Sequence, residues 1–124
     1  MISVGTDILK FERLEETLDR LGDRFVERIL TPQEQQEFAL SKRPSNLLAK
    51  RFAAKEAVAK CLGTGIGRGV SWQDIRITHD EQGAPGVELS GEALRVAQAR
   101  GGTQVLLSLA DETDCVIAFA ALTQ

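Results

Sequence analysis

The 124-residue chain has one histidine, one tryptophan and only two cysteines. A single histidine leaves no Ser-His-Asp or Cys-His set to assemble, which excludes the common nucleophilic triads. Cys61 and Cys115 lie in apolar surroundings without metal-ligand spacing, and read as small reduced core residues of a cytoplasmic protein. The longest apolar run, Cys115 to Leu122, falls far short of the roughly 20 residues that span a bilayer, and nothing reads as a signal peptide. A basic excess is also missing. The net charge is -3 and the pI about 5.2, so nothing global attracts nucleic acid or an anionic membrane. Repeats, linkers and low-complexity segments are absent, and the length fits one domain over residues 1–124. Any basic function must therefore come from a local cluster.

The stretch Arg51 to Gly69 carries the densest chemistry. Through Leu62 it is built almost wholly of good helix formers, and Gly63 stops the helix before further glycines at Gly65, Gly67 and Gly69. At about 3.6 residues per turn, Phe52, Glu56 and Lys60 share one stripe, with Arg51 and Lys55 on the neighbouring one. Ala53, Ala57, Val58, Cys61 and Leu62 take the buried positions. A carboxylate beside several cations suits Mg²⁺ once a second carboxylate joins it, and suits phosphate. The same residues also fit an exposed i,i+4 ion pair, and both readings stand at this point. The glycine run follows a helix and has Arg68 where a third glycine would be needed, so it is neither a Rossmann turn nor a P-loop.

Ahead of this stretch, Ile2 to Ile8 alternates as an opening strand and brings Asp7 to the place where strand should yield to loop. That aspartate equally fits a cap for the next helix. Phe11, Leu14, Leu18 and Leu21 follow helical spacing to Gly22. Lys10, Arg13, Arg20, Arg24 and Arg28 form a basic series there, either a solvated face or a docking patch for an acidic partner. A short helical turn covers Phe25 to Leu30. Thr31-Pro32-Gln33-Glu34 then has the threonine, proline and glutamate of a capping box, for a helix to about Leu40. Ser41-Lys-Arg-Pro-Ser45 is a basic loop, with Ser45 as a cap for the long helix.

After the glycines the pattern alternates. Strands are expected around Ile75–Ile77 and Val87–Leu89 across the turn Asp80 to Pro85. A helix over Glu92 to Arg100 is capped by Ser90, and Gly101-Gly102 ends it. Final strands cover Thr103–Ala110 and Cys115–Leu122. Their near-continuous apolar character implies burial on both faces, and in so small a domain another subunit can cover one of them. Trp72 reads as a partly buried core residue. His79, beside Asp80, reads as a surface histidine with no catalytic role.

Taken together, Gly5-Thr-Asp-Ile8 with Arg13, Phe25-Val-Glu-Arg-Ile-Leu-Thr31, and Arg51-Phe-Ala-Ala-Lys-Glu-Ala57 with Lys60 and Gly63-Thr-Gly-Ile66 resemble a known family. It is the holo-acyl-carrier-protein synthases, small 4′-phosphopantetheinyl transferases. Trp72-Gln-Asp-Ile75 and Asp80-Glu-Gln-Gly-Ala-Pro85 also fit, so the resemblance covers nearly the whole chain in order.

The resemblance implies an α+β fold with an antiparallel sheet packed against a long helix, and sites at the subunit boundaries of a homotrimer. It implies transfer of the phosphopantetheine arm of coenzyme A to a serine of apo-acyl carrier protein, releasing 3′,5′-ADP and serving fatty acid biosynthesis. Mg²⁺ would be held by Asp7 and Glu56, with Lys60 stabilising charge at the transferring phosphate. Glu56, directly or through water on the metal, is the first choice of base and Lys60 the second. Coenzyme contacts fall on Arg51, Lys55, Lys60, Gly63, Thr64, Gly65, Ile66, Gly83 and Pro85. Carrier-protein docking falls on Arg13, Arg20, Arg24, Phe25 and Arg28. The chain departs from the family at Ser108-Leu109-Ala110-Asp111, where many members place a histidine toward the adenine-ribose end of the coenzyme. A coenzyme-binding regulatory module without turnover, and a structural trimer with a merely solvated charged helix, are the competing functions. Docking of an acidic carrier protein separates the second of these from the transferase.

Overall fold

A computed structural model describes all residues from Met1 to Gln124. Strand β1 (Ser3–Lys10) runs directly into helix α1 (Phe11–Leu21), followed by α2 (Asp23–Ile29), α3 (Pro32–Leu40) and the long α4 (Pro44–Cys61). A 3-10 turn at Trp72–Asp74 leads into β2 (Ile75–His79), β3 (Pro85–Leu89), α5 (Gly91–Ala99), β4 (Gln104–Asp111) and β5 (Cys115–Thr123). The strands form one antiparallel sheet in the order β1-β5-β4 and a separate β2–β3 hairpin. The expected α+β arrangement of an antiparallel sheet against a long helix is what the chain adopts. No helix is long and apolar enough to cross a membrane.

Helix α4 is the centre of the core. Ala49, Ala53, Ala54, Ala57 and Ala59 are fully buried, and their small side chains let the helix axis come close to the sheet. Its end differs slightly from the expected one: the last helical residue is Cys61, and Gly63, at φ +86°, makes the reversal that a Cβ would oppose. At its start, Arg43 holds the N-cap position and Pro44 the first turn, so Ser45 lies inside the helix rather than capping it. The proline has no N–H to leave unsatisfied, and this sets the start. Ser90 precedes α5 but makes no side-chain cap bond.

The capping box at Thr31 is complete, and it does more than begin α3. Glu34 Oε1 accepts from the Thr31 backbone N–H at 2.8 Å and from Lys55 Nζ at 2.6 Å, while Oε2 accepts from the Ile77 N–H at 2.9 Å. Lys55 also donates to the Ile29 and Trp72 carbonyl oxygens, at 2.6 and 3.1 Å. Both side chains are fully buried. Burial pulls the Lys55 pKa below its ordinary value, and the Glu34 charge opposes that shift. One buried pair thus ties α2, α3, α4 and the β2 hairpin together. Lys55 is consequently not available to a coenzyme, contrary to expectation, because all three of its donors are used inside the core.

The outer strands also differ from expectation. β5 is not buried on both faces within the chain: Ile117 and Phe119 are 44% and 42% exposed, alternating with the buried Val116, Ala118 and Ala120. Val4 and Ile8 of β1 and Leu106 of β4 stand on the same uncovered face. An apolar run can line both sides of a sheet while the chain itself packs only one.

Replacing Lys55 by methionine would strand the Glu34 carboxylate in the core. The expected cost is about 3–5 kcal/mol in urea denaturation, with part of it recovered when Glu34→Gln is added. An unchanged midpoint in the single variant would refute this role for the pair.

Candidate active site

The site begins with a glycine. Gly5 is buried on the inner face of β1, and a Cβ there would lie 2.2 Å from the Ala57 carbonyl oxygen and 2.6 Å from the Cys61 nitrogen. Only a residue without a side chain lets the last turns of α4 lie flush on β1. Ser3, two positions earlier on the same face, donates from Oγ to the Cys61 carbonyl oxygen. Asp7, two positions later, therefore meets the glutamate-lysine stripe of α4. The strand does not end at Asp7, as the alternation had implied. It continues to Lys10, and Asp7 pairs with Ala118 in mid-strand. Asp7 is not a helix cap either, since Lys10 takes that position ahead of α1.

Lys60 Nζ donates to the Thr6 carbonyl oxygen at 3.0 Å and to Asp7 Oδ1 at 3.2 Å. The Asp7 side chain is 15% exposed and that of Lys60 50%. Lys60 is therefore paired across to the strand. Glu56, one turn earlier, is half-buried. Burial is the largest influence raising its pKa above the ordinary value, the Asp7 charge adds to it, and the Lys60 charge opposes both. Two carboxylates within electrostatic reach, one held by a movable ammonium, fit a hard divalent cation. The chain offers no cluster of three such ligands. Two carboxylates are nevertheless what Mg²⁺ commonly takes, its other positions going to water and to the oxygens of a bound phosphate.

Asp7 and Glu56 open into a cleft of about 520 Å³ whose walls include Arg13, Arg20, Phe25 and Phe52. Of the expected docking residues, Arg13 and Arg20 thus share a cleft with the carboxylates, while Arg24 and Arg28 are exposed on α2. Phe25, expected as an apolar docking contact, lies in the wall of the same cleft. It is only 8% exposed and packs against Phe52 at 6.0 Å between ring centroids. Phe52 in turn stacks on Trp72 at 4.9 Å.

The expected coenzyme contacts lie elsewhere. Gly63 to Ile66 fold back over the end of α4, where the Gly65 N–H donates to the Ala59 carbonyl oxygen at 3.0 Å. Arg100 reinforces that end by donating to the Cys61 carbonyl oxygen at 2.9 Å, a role no sequence pattern announced. Gly83 lies in the β2–β3 turn and Pro85 opens β3, while Arg51 is buried against Glu37 at 2.9 Å. None of these lines the carboxylate cleft. Asp111, the departure from the family pattern, pairs with Lys50 at 3.4 Å. The role of Gly5 was within reach of the sequence, since a glycine inside a strand marks close backbone approach.

Comparison with known proteins shows the family and the fold. The profile of the 4′-phosphopantetheinyl transferase superfamily matches residues 3–120. A holo-acyl-carrier-protein synthase of Shewanella amazonensis is 53% identical over 122 residues, covering 98% of each chain. The crystal structure of a holo-acyl-carrier-protein synthase from Neisseria meningitidis superposes with a TM-score of 0.93 at 42% identity, covering 100% of both chains. One from Bacillus anthracis, solved in complex with CoA (3′,5′-ADP), gives a TM-score of 0.81 at 34% identity over 99% and 97% of the chains.

The electrostatic reading of Glu56 can be checked without any ligand, by following its carboxyl carbon through a metal-free NMR titration. Asp7→Asn should lower the Glu56 pKa, leaving the part due to burial, and Lys60→Met should raise it further. Absence of either shift would mean that the three groups do not share a site.

Proposed function

The chain belongs to the 4′-phosphopantetheinyl transferase superfamily, and we infer from this that it acts as a holo-acyl-carrier-protein synthase. It transfers the 4′-phosphopantetheine arm of coenzyme A to a serine of apo-acyl carrier protein, giving holo-acyl carrier protein and 3′,5′-ADP. The product serves fatty acid biosynthesis, and the reduced cysteines suit the cytoplasm. The observation that supports this reading most is the opening of Asp7 and Glu56 into one arginine-flanked cleft, with Lys60 bonded to Asp7 beside it.

Asp7 and Glu56 would hold Mg²⁺, whose chemistry there is to offset the charge that grows on the pyrophosphate as its bond breaks. Glu56 takes the serine proton. The freed serine oxygen forms a bond to the phosphorus carrying the pantetheine arm, and the bond from that phosphorus to 3′,5′-ADP breaks. Lys60 is the mobile cation. Its exposed ammonium leaves Asp7 and turns toward the transferring phosphate. Arg13, Arg20, Arg24 and Arg28 orient the acidic carrier protein over the cleft.

The remaining coenzyme contacts, Arg51, Gly63 to Ile66, Gly83 and Pro85, join this machinery across a subunit boundary of a homotrimer. Support comes from the uncovered apolar face of Val4, Ile8, Leu106, Ile117 and Phe119, gathered on one side of the sheet, where another subunit can cover it.

Intact-mass measurement of apo-acyl carrier protein after incubation with this protein, coenzyme A and Mg²⁺ tests the reaction. A gain of one phosphopantetheine arm, lost with EDTA, is expected. No gain with several carrier proteins and a folded sample would favour coenzyme binding without turnover. Asp7→Ala and Glu56→Ala should each slow transfer by about 100-fold or more with the fold intact, and near-normal turnover in either would refute the metal assignment. Arg24→Glu should raise the KM for the carrier protein and leave that for coenzyme A unchanged. Phe119→Asp should dissociate the assembly in sedimentation velocity, and an unchanged trimer would remove that face from the interface.

A further inference from the structure

A separate cleft of about 200 Å³ lies between the start of α4 and the end of β2, with Ser41, Arg43, Asn46, Lys50, Arg51 and His79 on its walls. Cations outnumber anions there, and the neighbouring acids are already engaged. Glu37 accepts from Arg51 at 2.9 Å, Asp111 pairs with Lys50 at 3.4 Å, and Asp80 Oδ1 accepts the Gln82 and Ala84 N–H groups, both at 2.9 Å. The Arg51 side chain is only 6% exposed, yet its Nε has no acceptor. A buried guanidinium nitrogen without a partner is uncommon and calls for one. Arg43 makes no cap bond at the start of α4, so N–H groups of the first turn are also open to an anion.

His79 is the one wall residue whose charge can change near neutral pH. It ends β2, paired across the hairpin with Pro85. The charges that face it are Arg51 and Lys50 from α4, Glu37 from α3 and Asp80 from the turn, with Arg43 on the same cleft. We propose that His79, as imidazolium, contacts the phosphate monoester of coenzyme A, so that coenzyme binding at this cleft takes up a proton. The inference rests on the coenzyme-binding reading of Arg51 and adds a contact and a pH dependence to it.

The sign follows from the charges. Without ligand, burial lowers the His79 pKa first and Arg51 lowers it further, with Lys50 adding to this and Glu37 and Asp80 opposing. The ring is therefore mostly neutral at neutral pH. A dianionic phosphate reverses that balance and favours the protonated ring. Affinity should rise as pH falls through the His79 pKa of the complex, and level off once the free protein is protonated too. The ligand's own second ionisation, at about pH 6, pulls the other way. A comparison with His79→Gln cancels it.

The test is calorimetric titration of wild type and His79→Gln with 3′,5′-ADP at about pH 6 and about pH 8, in two buffers of different ionisation enthalpy. Wild type should take up more protons than the variant and bind about tenfold more tightly at the acid end, with the gap closing at the alkaline end. Equal proton uptake and equal pH profiles, with carrier-protein loading intact in wild type, would overturn the role of His79 alone. Failure of 3′,5′-ADP to bind either protein, together with no loading by wild type, would overturn the coenzyme reading and this one with it.

Discussion

The close approach of α4 to β1 at Gly5 is the constraint on which the functional geometry depends. Everything that makes the site chemically interesting comes from bringing a helix stripe and a strand face into register: Asp7 from one, Glu56 and Lys60 from the other. The separation is set by backbone atoms, with a Cβ at Gly5 clashing at 2.2 Å, so there is little freedom to adjust it. A site built on two rigid elements in backbone contact holds its donors to tighter tolerances than one built on loops. The Lys60 ammonium, bonded to Asp7, offsets the repulsion between the Asp7 and Glu56 carboxylates.

A second anchor lies deeper. The Glu34–Lys55 pair meets every donor and acceptor demand of two buried charges, which is the condition for tolerating them in a core. It fixes α3 and the β2 hairpin to α4 from the side away from the sheet. The long helix is thus gripped on two sides, by a contact without side chains at Gly5 and by a charged pair at Lys55. The carboxylate cleft and the cationic cleft are both borne on this one clamped helix.

Much of this was legible in the sequence, for identifiable reasons. The Thr31 capping box and the turn at Gly63 are local chemistry, and local chemistry is written in adjacent residues. The burial of Ala53 and Ala57 in α4 followed from spacing. Lys55 was misplaced because helical stripes sort residues by polarity, and nothing in spacing shows that a charge has a buried partner 21 residues away. Glu34 had an obvious local use in the capping box, which hid its long-range one. The end of β1 was misplaced for a related reason, since what extends a strand is its partner, here β5. The meeting of Asp7 with Glu56 came from family resemblance, and no periodicity could have brought together residues so far apart in the chain.

The alternation of β1 carries one more consequence. Gly5 and Asp7 face α4, while Val4 and Ile8 stand on the uncovered apolar side, and hydrogen bonds to β5 pin both sets at once. A shift of this strand by one residue would exchange its faces, turning the carboxylate outward and driving Val4 or Ile8 against the helix where only glycine fits. The carboxylate site and the exposed apolar face are therefore encoded in a single register. The chain cannot lose one of them by slippage and keep the other.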